Sequence, residues 1–436
     1  MAAALGVLVS CGSVKSGEEV VAASRDSKVV VAYVTSWSEV MPDPQYMTHI
    51  NYAFGHVNES FNGVKIANEE RLRQIVDLRK QKPELKVLLS IGGWGSGRFS
   101  EMAANDEYRR AFAADCDRVV KEFALDGIDI DWEYPTSSMA NISSSPDDTE
   151  NFTLLMQDIR AAIGNEKELT LATVASARYI DFKAILPSVD FVNIMAYDMA
   201  SAPKHHSALY PSGHSGDITS DGAVTAHLKA GVPPSKLVMG MPFYGRGGDG
   251  YPSFQDYNKV GNTDTQYTEK WDEVAQVPYL ADKNDTLVFG FENPRSLAIK
   301  CQYILDKDLL GCMYWDYSGD NEQGDLRRTV AENLLGKPHK AKVLGVDGTW
   351  WTARRIYRCR LEVVGGRRCK REFQYYRDKQ CQEHNGGLLV AVQLGYSIGF
   401  PALYLAEGSG RCIRQVYRRR PWRLDRFPSC YFAGRV

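Results

Sequence analysis

Residues 125–135 read Leu125-Asp126-Gly127-Ile128-Asp129-Ile130-Asp131-Trp132-Glu133-Tyr134-Pro135. A β-branched and acidic alternation of this kind predicts a strand, in which residues two apart share a face. Ile128, Ile130 and Trp132 then point one way, and Asp129, Asp131 and Glu133 point the other. The apolar set suits a covering layer of helices. The acidic set must face either solvent or the inside of a closed sheet. A solvated surface strand would explain the acids without chemistry. Three carboxyls facing inward would instead repel and desolvate one another, which destabilises a fold unless a proton is shared. A shared proton is what an acid catalyst uses.

The surroundings of this stretch decide for the closed sheet. Short apolar runs recur at Val29–Thr35, His49–Val57, Lys86–Gly93, Gly127–Pro135, Leu169–Ala175, Phe191–Met199, Leu237–Gly245 and Gly311–Gly319. They are nearly continuous rather than alternating, as parallel strands covered by helices are. Segments of helical period lie between them, among them Asn68–Gln81, Asp106–Phe123, Thr149–Ile163, Asp221–Ala230 and Arg295–Leu305. A last helix is expected at Asp325–Leu335, stopped by Gly336-Lys337-Pro338. Eight such units predict an α/β fold, a (β/α)₈ TIM barrel. A doubly wound sheet is disfavoured because no glycine-rich phosphate fingerprint follows the first run. Arg246 to Pro294, after the seventh strand, is expected to be one long loop shaping a substrate site.

Asp126, Asp129, Asp131 and Glu133 match the D-x-x-D-x-D-x-E signature of glycoside hydrolase family 18, which the chain resembles from about Val29 to Gly336. The resemblance also takes in Ser90-Ile91-Gly92-Gly93-Trp94, Met195-Ala196-Tyr197-Asp198, Met241-Pro242-Phe243-Tyr244-Gly245-Arg246 and Met313-Tyr314-Trp315, in family order and each at the end of an expected strand. It implies a retaining reaction in which the 2-acetamido group of the substrate is the nucleophile. Glu133 would protonate the leaving oxygen and later deprotonate water. Asp131 would orient the acetamido group, Asp129 with Ser90 would hold a proton for Asp131, and Tyr197 would donate to the acetamido oxygen. By the same resemblance Trp315 floors the pocket and Trp94 lies on the leaving-group side. Tyr33, Phe54, Tyr134, Met195, Asp198, Tyr244 and Arg246 line the cleft, and Asp126, Gly92 and Gly93 support it. The implied substrate is chitin or chitooligosaccharides, with no cofactor.

Many chitinases of the family carry a compact α+β insertion where this chain has about 45 residues between the seventh strand and its helix. That shortness predicts an open cleft and endo-acting cleavage. Two rival functions follow from the same fold: a chitin-binding lectin, disfavoured because Glu133 is present, and an endo-β-N-acetylglucosaminidase of N-glycans, disfavoured because the Met195 and Trp315 motifs are present.

The formal charge of −2 conceals two unlike parts. Residues 1–340 hold 33 Lys and Arg against 47 Asp and Glu, a net of −14, whereas residues 341–436 hold 19 against 7, a net of +12. Of the nine cysteines, Cys359, Cys369, Cys381, Cys412 and Cys430 belong to that tail, while Cys116, Cys301 and Cys312 fall in apolar segments and read as buried free thiols. No Cys or His cluster has metal-ligand spacing, so no metal is expected.

Residues 1–27 read as a targeting segment and tether. Leu8-Val9-Ser10-Cys11 resembles a lipobox in which Cys11 is lipidated, although no basic residue precedes it. The expected localisation is secreted or envelope-attached, with membrane contact only through that lipid. Residues 28–338 form the catalytic barrel. Residues 339–436 are an Arg- and Cys-rich tail, read either as a carbohydrate-binding module around Trp350 and Trp351 or as a non-native extension. Arg418, Arg419 and Arg420 stand without any nucleic-acid motif, so no nucleic acid is expected, and the enzyme is expected to be a monomer.

Overall fold

In the computed structural model, the described residues are 28–248, 251–260 and 266–336, with six short strands between 341 and 406. The chain divides into two compact units, Met1–Gly336 and Lys337–Val436.

The first unit is built on eight parallel strands: β1 (Val29–Thr35), β2 (His49–Val57), β3 (Lys86–Gly92), β4 (Gly127–Asp131), β5 (Glu168–Val174), β6 (Phe191–Met195), β7 (Leu237–Pro242) and β8 (Gly311–Trp315). Each pairs in parallel with the next, β8 pairs with β1, and the sheet closes into a barrel. Helices cover it where the periodicity placed them at α1 (Glu69–Val76), α3 (Asp106–Glu122) and α4 (Asp148–Ile163), and also at α2 (Phe99–Ala104), which the periodicity did not mark. α5 (Phe182–Ile185), α6 (Ser220–Lys229), α7 (Pro294–Asp306) and α8 (Asp325–Leu334) complete the series. Start signals are explicit: Asn105 caps α3, and Asn293 and Ser296 form a reciprocal capping box on α7, with Pro294 at its first position. α2 and α5 are too short to have a readable period.

Two layers of apolar packing follow from the alternation. Outward residues such as Val30, Ile50, Ile128, Ile130 and Trp132 pack under the helices in the main core. Inward residues Val31, Tyr33, Ala53, Phe54, Phe191, Val238 and Met313 form a separate cluster inside the barrel. Cys116, Cys301 and Cys312 are buried free thiols.

Two expectations need correction. First, the apolar runs overshoot the strands at their carboxyl ends. β4 stops at Asp131, β6 at Met195, β7 at Pro242 and β8 at Trp315. The chain leaves the ladder there to build the barrel mouth, and left-handed backbone at Thr136 and Asp198 turns it away. Glu133 therefore lies just past its strand rather than on it.

Second, the stretch after β7 is no loop. Gln255–Asp256, Tyr244–Gly247, Leu287–Gly290, Val277–Ala281 and Thr268–Asp272 form a five-stranded antiparallel sheet in that order. Its aromatics explain why so short a segment folds: Leu280, Phe289 and Phe291 are buried together, with Tyr251, Tyr257 and Tyr267 packed against them.

In the second unit, Trp350–Ala353, Ala341–Leu344, Val390–Leu394 and Ala402–Ala406 form a four-stranded antiparallel sheet, and Arg360–Val364 pairs with Arg368–Glu372. Cys11, the tether and Arg418 to Arg420 lie outside the described residues, as do the side chains of Trp350 and Trp351.

Candidate active site

The carboxyl ends of the barrel strands gather most of the residues singled out from the sequence. Register places the polar ones side by side inside the barrel: Ser90 of β3 is opposite Asp129 of β4, and Asp129 is opposite Thr170 of β5.

Asp129 is fully buried, yet every lone-pair direction of its carboxylate is used. Tyr33 Oη and Ser90 Oγ each donate to Oδ2 at 2.8 Å. Thr170 Oγ1 donates to Oδ1 at 2.6 Å and Asn193 Nδ2 at 3.3 Å. Burial raises its pKa, and these four donors work against the rise. Asp131, one pleat higher, is treated differently. It too is buried, and its Oδ1 has no hydrogen-bond partner. Burial, then the neighbouring carboxylates of Glu133 and Asp129, push it well above the usual carboxylate range.

Glu133 stands half-buried at the mouth. Burial, with a smaller contribution from Asp198, pushes it up to about 7, while the Tyr134 hydroxyl works the other way. Asp198 is the reverse case. Burial alone would raise it, but the Arg246 guanidinium and His206 hold it well below the usual range. Arg246 grips it with a fork, Nε to Oδ1 at 2.7 Å and Nη2 to Oδ2 at 2.5 Å. Environment has thus pushed neighbouring carboxyls apart, one towards neutrality and one firmly anionic.

Two glycines make the approach possible. Gly92 ends β3 at φ 133°, and a Cβ there would fall on the Asp131 carbonyl oxygen. Gly93, at φ 91°, turns under the Phe54 ring, 2.6 Å from where its Cβ would stand. Its N–H donates to the Asp131 carbonyl at 2.9 Å, which holds the β3 and β4 ends together.

Aromatics surround the carboxyls in three groups. Trp315 stacks on Phe54 with centroids 5.5 Å apart at 19°, and Tyr33 tilts against it at 5.7 Å. Trp94 is 61% exposed and meets Tyr134 edge-on at 6.5 Å. Tyr197 and Tyr244 are edge to face at 6.0 Å, and Tyr244 stacks on Phe254 at 4.7 Å, with Arg246 over both rings. The Tyr197 hydroxyl reaches Met313 Sδ at 3.7 Å, and Met195 packs against the same inner cluster. Burial, then Asp131, Glu133 and Asp198, raise the Tyr197 phenol, so it stays a neutral donor.

Asp126 is not brought to this site. At the amino end of β4 it pairs with Arg79 and accepts the Val87 N–H at 2.7 Å, tying β3 to β4. Several residues of the site escaped the sequence reading. Trp37, 65% exposed, lies 6.4 Å from both Phe54 and Trp315, and Tyr179 stacks on Tyr134 at 5.6 Å. Thr170, Asn193 and Asn51 carried a readable signal, because each is a polar residue at an inward position of an otherwise apolar run.

The family model of glycosyl hydrolases family 18 matches residues 29–320. The chain belongs to that family. Chitinase A1 of Niallia circulans is 30% identical over 409 residues, covering 69% of this chain and 58% of the relative. The chain thus spans little more than half of that relative's length. Chitotriosidase-1 of Mus musculus is 31% identical over 350 residues, covering 68% of this chain and 74% of the relative. Among solved structures, a family 18 N-acetylglucosaminidase from Paenibacillus barengoltzii is 32% identical with a TM-score of 0.65, covering 70% of this chain and 99% of that one. Ostrinia furnacalis Group IV chitinase in complex with allosamidin is 28% identical with a TM-score of 0.64, covering 71% and 99%. The barrel is that of a family 18 glycoside hydrolase, and Asp129, Asp131 and Glu133 sit at its mouth.

Proposed function

We propose that this family 18 enzyme is a chitinase, hydrolysing β-1,4-linked N-acetylglucosamine polymers with retention and by substrate assistance. One observation carries the reading. Among Asp129, Asp131, Glu133 and Asp198, only Glu133 combines partial exposure with a pKa near neutrality. Asp129 is enclosed by four donors and Asp198 is held by the Arg246 fork, so neither is free to attack a sugar. Asp131 is buried and pushed towards its protonated form. A site with one available acid and no free carboxylate nucleophile needs the nucleophile from the substrate, and the 2-acetamido oxygen supplies it.

Glu133 protonates the leaving oxygen, and as a carboxylate it then takes a proton from water. Asp131, with its free Oδ1, orients the acetamido N–H, and Tyr197 donates to the acetamido oxygen. Trp315 and Phe54 offer a flat face to the sugar ring. Trp37 and Trp94 stand exposed among different aromatic groups, which supports a polymer lying across the mouth and internal cleavage.

Substrate assistance makes acetylation a chemical requirement rather than a preference. Acetylated chitin hexasaccharide should be cut and its fully deacetylated counterpart left intact, with products resolved by mass spectrometry. Efficient cleavage of the deacetylated oligomer would overturn the mechanism.

A further inference from the structure

Glu133 sits on a stretch that has left the β-ladder, so something other than strand pairing must hold it. β4 ends at Asp131, two residues earlier. Immediately before Glu133, Trp132 is buried between two helices. It stacks on Phe99 of α2 at 5.3 Å and 14°, and meets Phe152 of α4 edge-on at 5.7 Å. Three residues after Glu133, Thr136 takes left-handed backbone at φ 60°. A β-branched residue avoids that conformation, which persists only where the surroundings impose it.

A second carboxylate grips this turn. Asp148, the first residue of α4, is fully buried. Its Oδ2 accepts the Thr136 N–H at 3.1 Å and the Ser145 N–H at 2.7 Å, and its Oδ1 accepts the Ser100 hydroxyl at 2.7 Å. Such bonds are what make a buried carboxylate tolerable. An acid at the start of a helix is ordinarily explained by the helix, through its dipole and its free N–H groups. Here all three partners lie outside α4. Thr136 and Ser145 belong to the segment that carries Glu133, and Ser100 belongs to α2, which follows the loop that carries Trp94.

We infer that Asp148 is a positioning residue for Glu133, fixing the turn after the acid through the Thr136 N–H and joining that turn to α2 through Ser100. With Trp132 packed on one side and Thr136 held on the other, the backbone is secured on both flanks of the acid. Asp148 acts as an acceptor of hydrogen bonds, so its geometry matters rather than its charge. The titratable groups facing Glu133 are Asp131, Tyr134, Tyr197 and Asp198, whereas the bonds of Asp148 go to Ser100, Thr136 and Ser145. The inference rests on Glu133 being the acid, as read above.

The test compares Asp148→Ala with Asp148→Asn in the full chain on acetylated chitin oligosaccharides. Both remove the charge, and only the asparagine keeps an acceptor for the two N–H groups. Asp148→Ala should lower kcat about 10²-fold, the scale of a reacting group displaced by roughly 1 Å, with KM little changed. The fall of kcat/KM with rising pH, expected near 7 in the unmodified chain, should move to lower pH, because a displaced Glu133 is better solvated. Asp148→Asn should restore both. A role confined to the stability of α4 would lower Tm but leave that pH limb in place. Asp148→Ser, whose hydroxyl stops one bond short, replaces the alanine variant if that does not fold, and the same shift is expected of it. An unmoved limb in the alanine or serine variant, or an asparagine variant as impaired as alanine, would overturn the role. Failure of both short variants to fold would overturn it too, by making Asp148 a folding residue. An unmodified chain that fails to cut the oligosaccharides would defeat the functional reading itself, whereas an active chain whose pH profile ignores Asp148 defeats only this inference.

Discussion

Glu133 differs from its acidic neighbours in what surrounds it rather than in its own chemistry. Asp129 meets four donors, Asp198 meets a guanidinium, and Glu133 meets neither. Its pKa near 7 makes it protonated at the start of a turnover, so kcat/KM should fall as pH rises through that value. The same shift sets a stability trend. A carboxyl raised from 4.5 to about 7 on folding binds more protons in the native state between those pH values, so its contribution to stability is lost as pH rises through them. Asp129 and Asp131, also raised, act in the same sense. Glu133→Gln should therefore lose at least roughly 10²–10⁴-fold in kcat and gain thermal stability. That gain should be larger at pH 8 than at pH 4.5, as thermal melts would record. An equal gain at both pH values would mean that Glu133 titrates normally, and near-normal turnover would remove it as the acid.

At the scale of elements, the site depends on how strands end. β3 and β4 approach so closely at Gly92 that no side chain fits, and the Gly93 N–H clasps the Asp131 carbonyl across the gap. Gly92→Ala should force the two strand ends apart, destabilising the fold by about 1–3 kcal/mol and displacing Asp131 enough to abolish most activity. Wild-type melting and kinetics in that variant would show the contact to be slack.

The strands themselves were legible, because a continuous apolar run with inward acids has few other places in a soluble fold. Their carboxyl ends were not, since Trp132, Ala196 and Phe243 stay apolar after the ladder has stopped. Periodicity sees hydrophobicity, and the mouth of a barrel buries residues without pairing them. The sheet after β7 was hidden for a related reason. Its strands are short and interrupted by Gly, Asn and Asp, and its core comes from tyrosines and phenylalanines that meet only once the hairpins form. Of the site itself, the acids, Tyr197 and Trp315 were readable from motif and alternation together. Thr170 and Asn193 needed the closed barrel to bring β5 and β6 around one carboxylate.

The whole molecule is two units of opposite charge and different composition, and the chemistry lies in the first. Everything from β1 to α8 serves one arrangement, in which the barrel wall supplies apolar support outward and a graded set of carboxyls inward. The grading, from saturated Asp129 through Asp131 with its free Oδ1 to half-buried Glu133, is what a mechanism with one acid and a borrowed nucleophile requires. The stereochemistry of the product reports on it directly, because two displacements at the anomeric carbon restore its configuration and one inverts it. Proton NMR of chitin hexasaccharide, recorded within the first minutes of hydrolysis and before mutarotation, should show new reducing ends in the β configuration. First-formed α ends would mean direct attack by water, and would contradict the account.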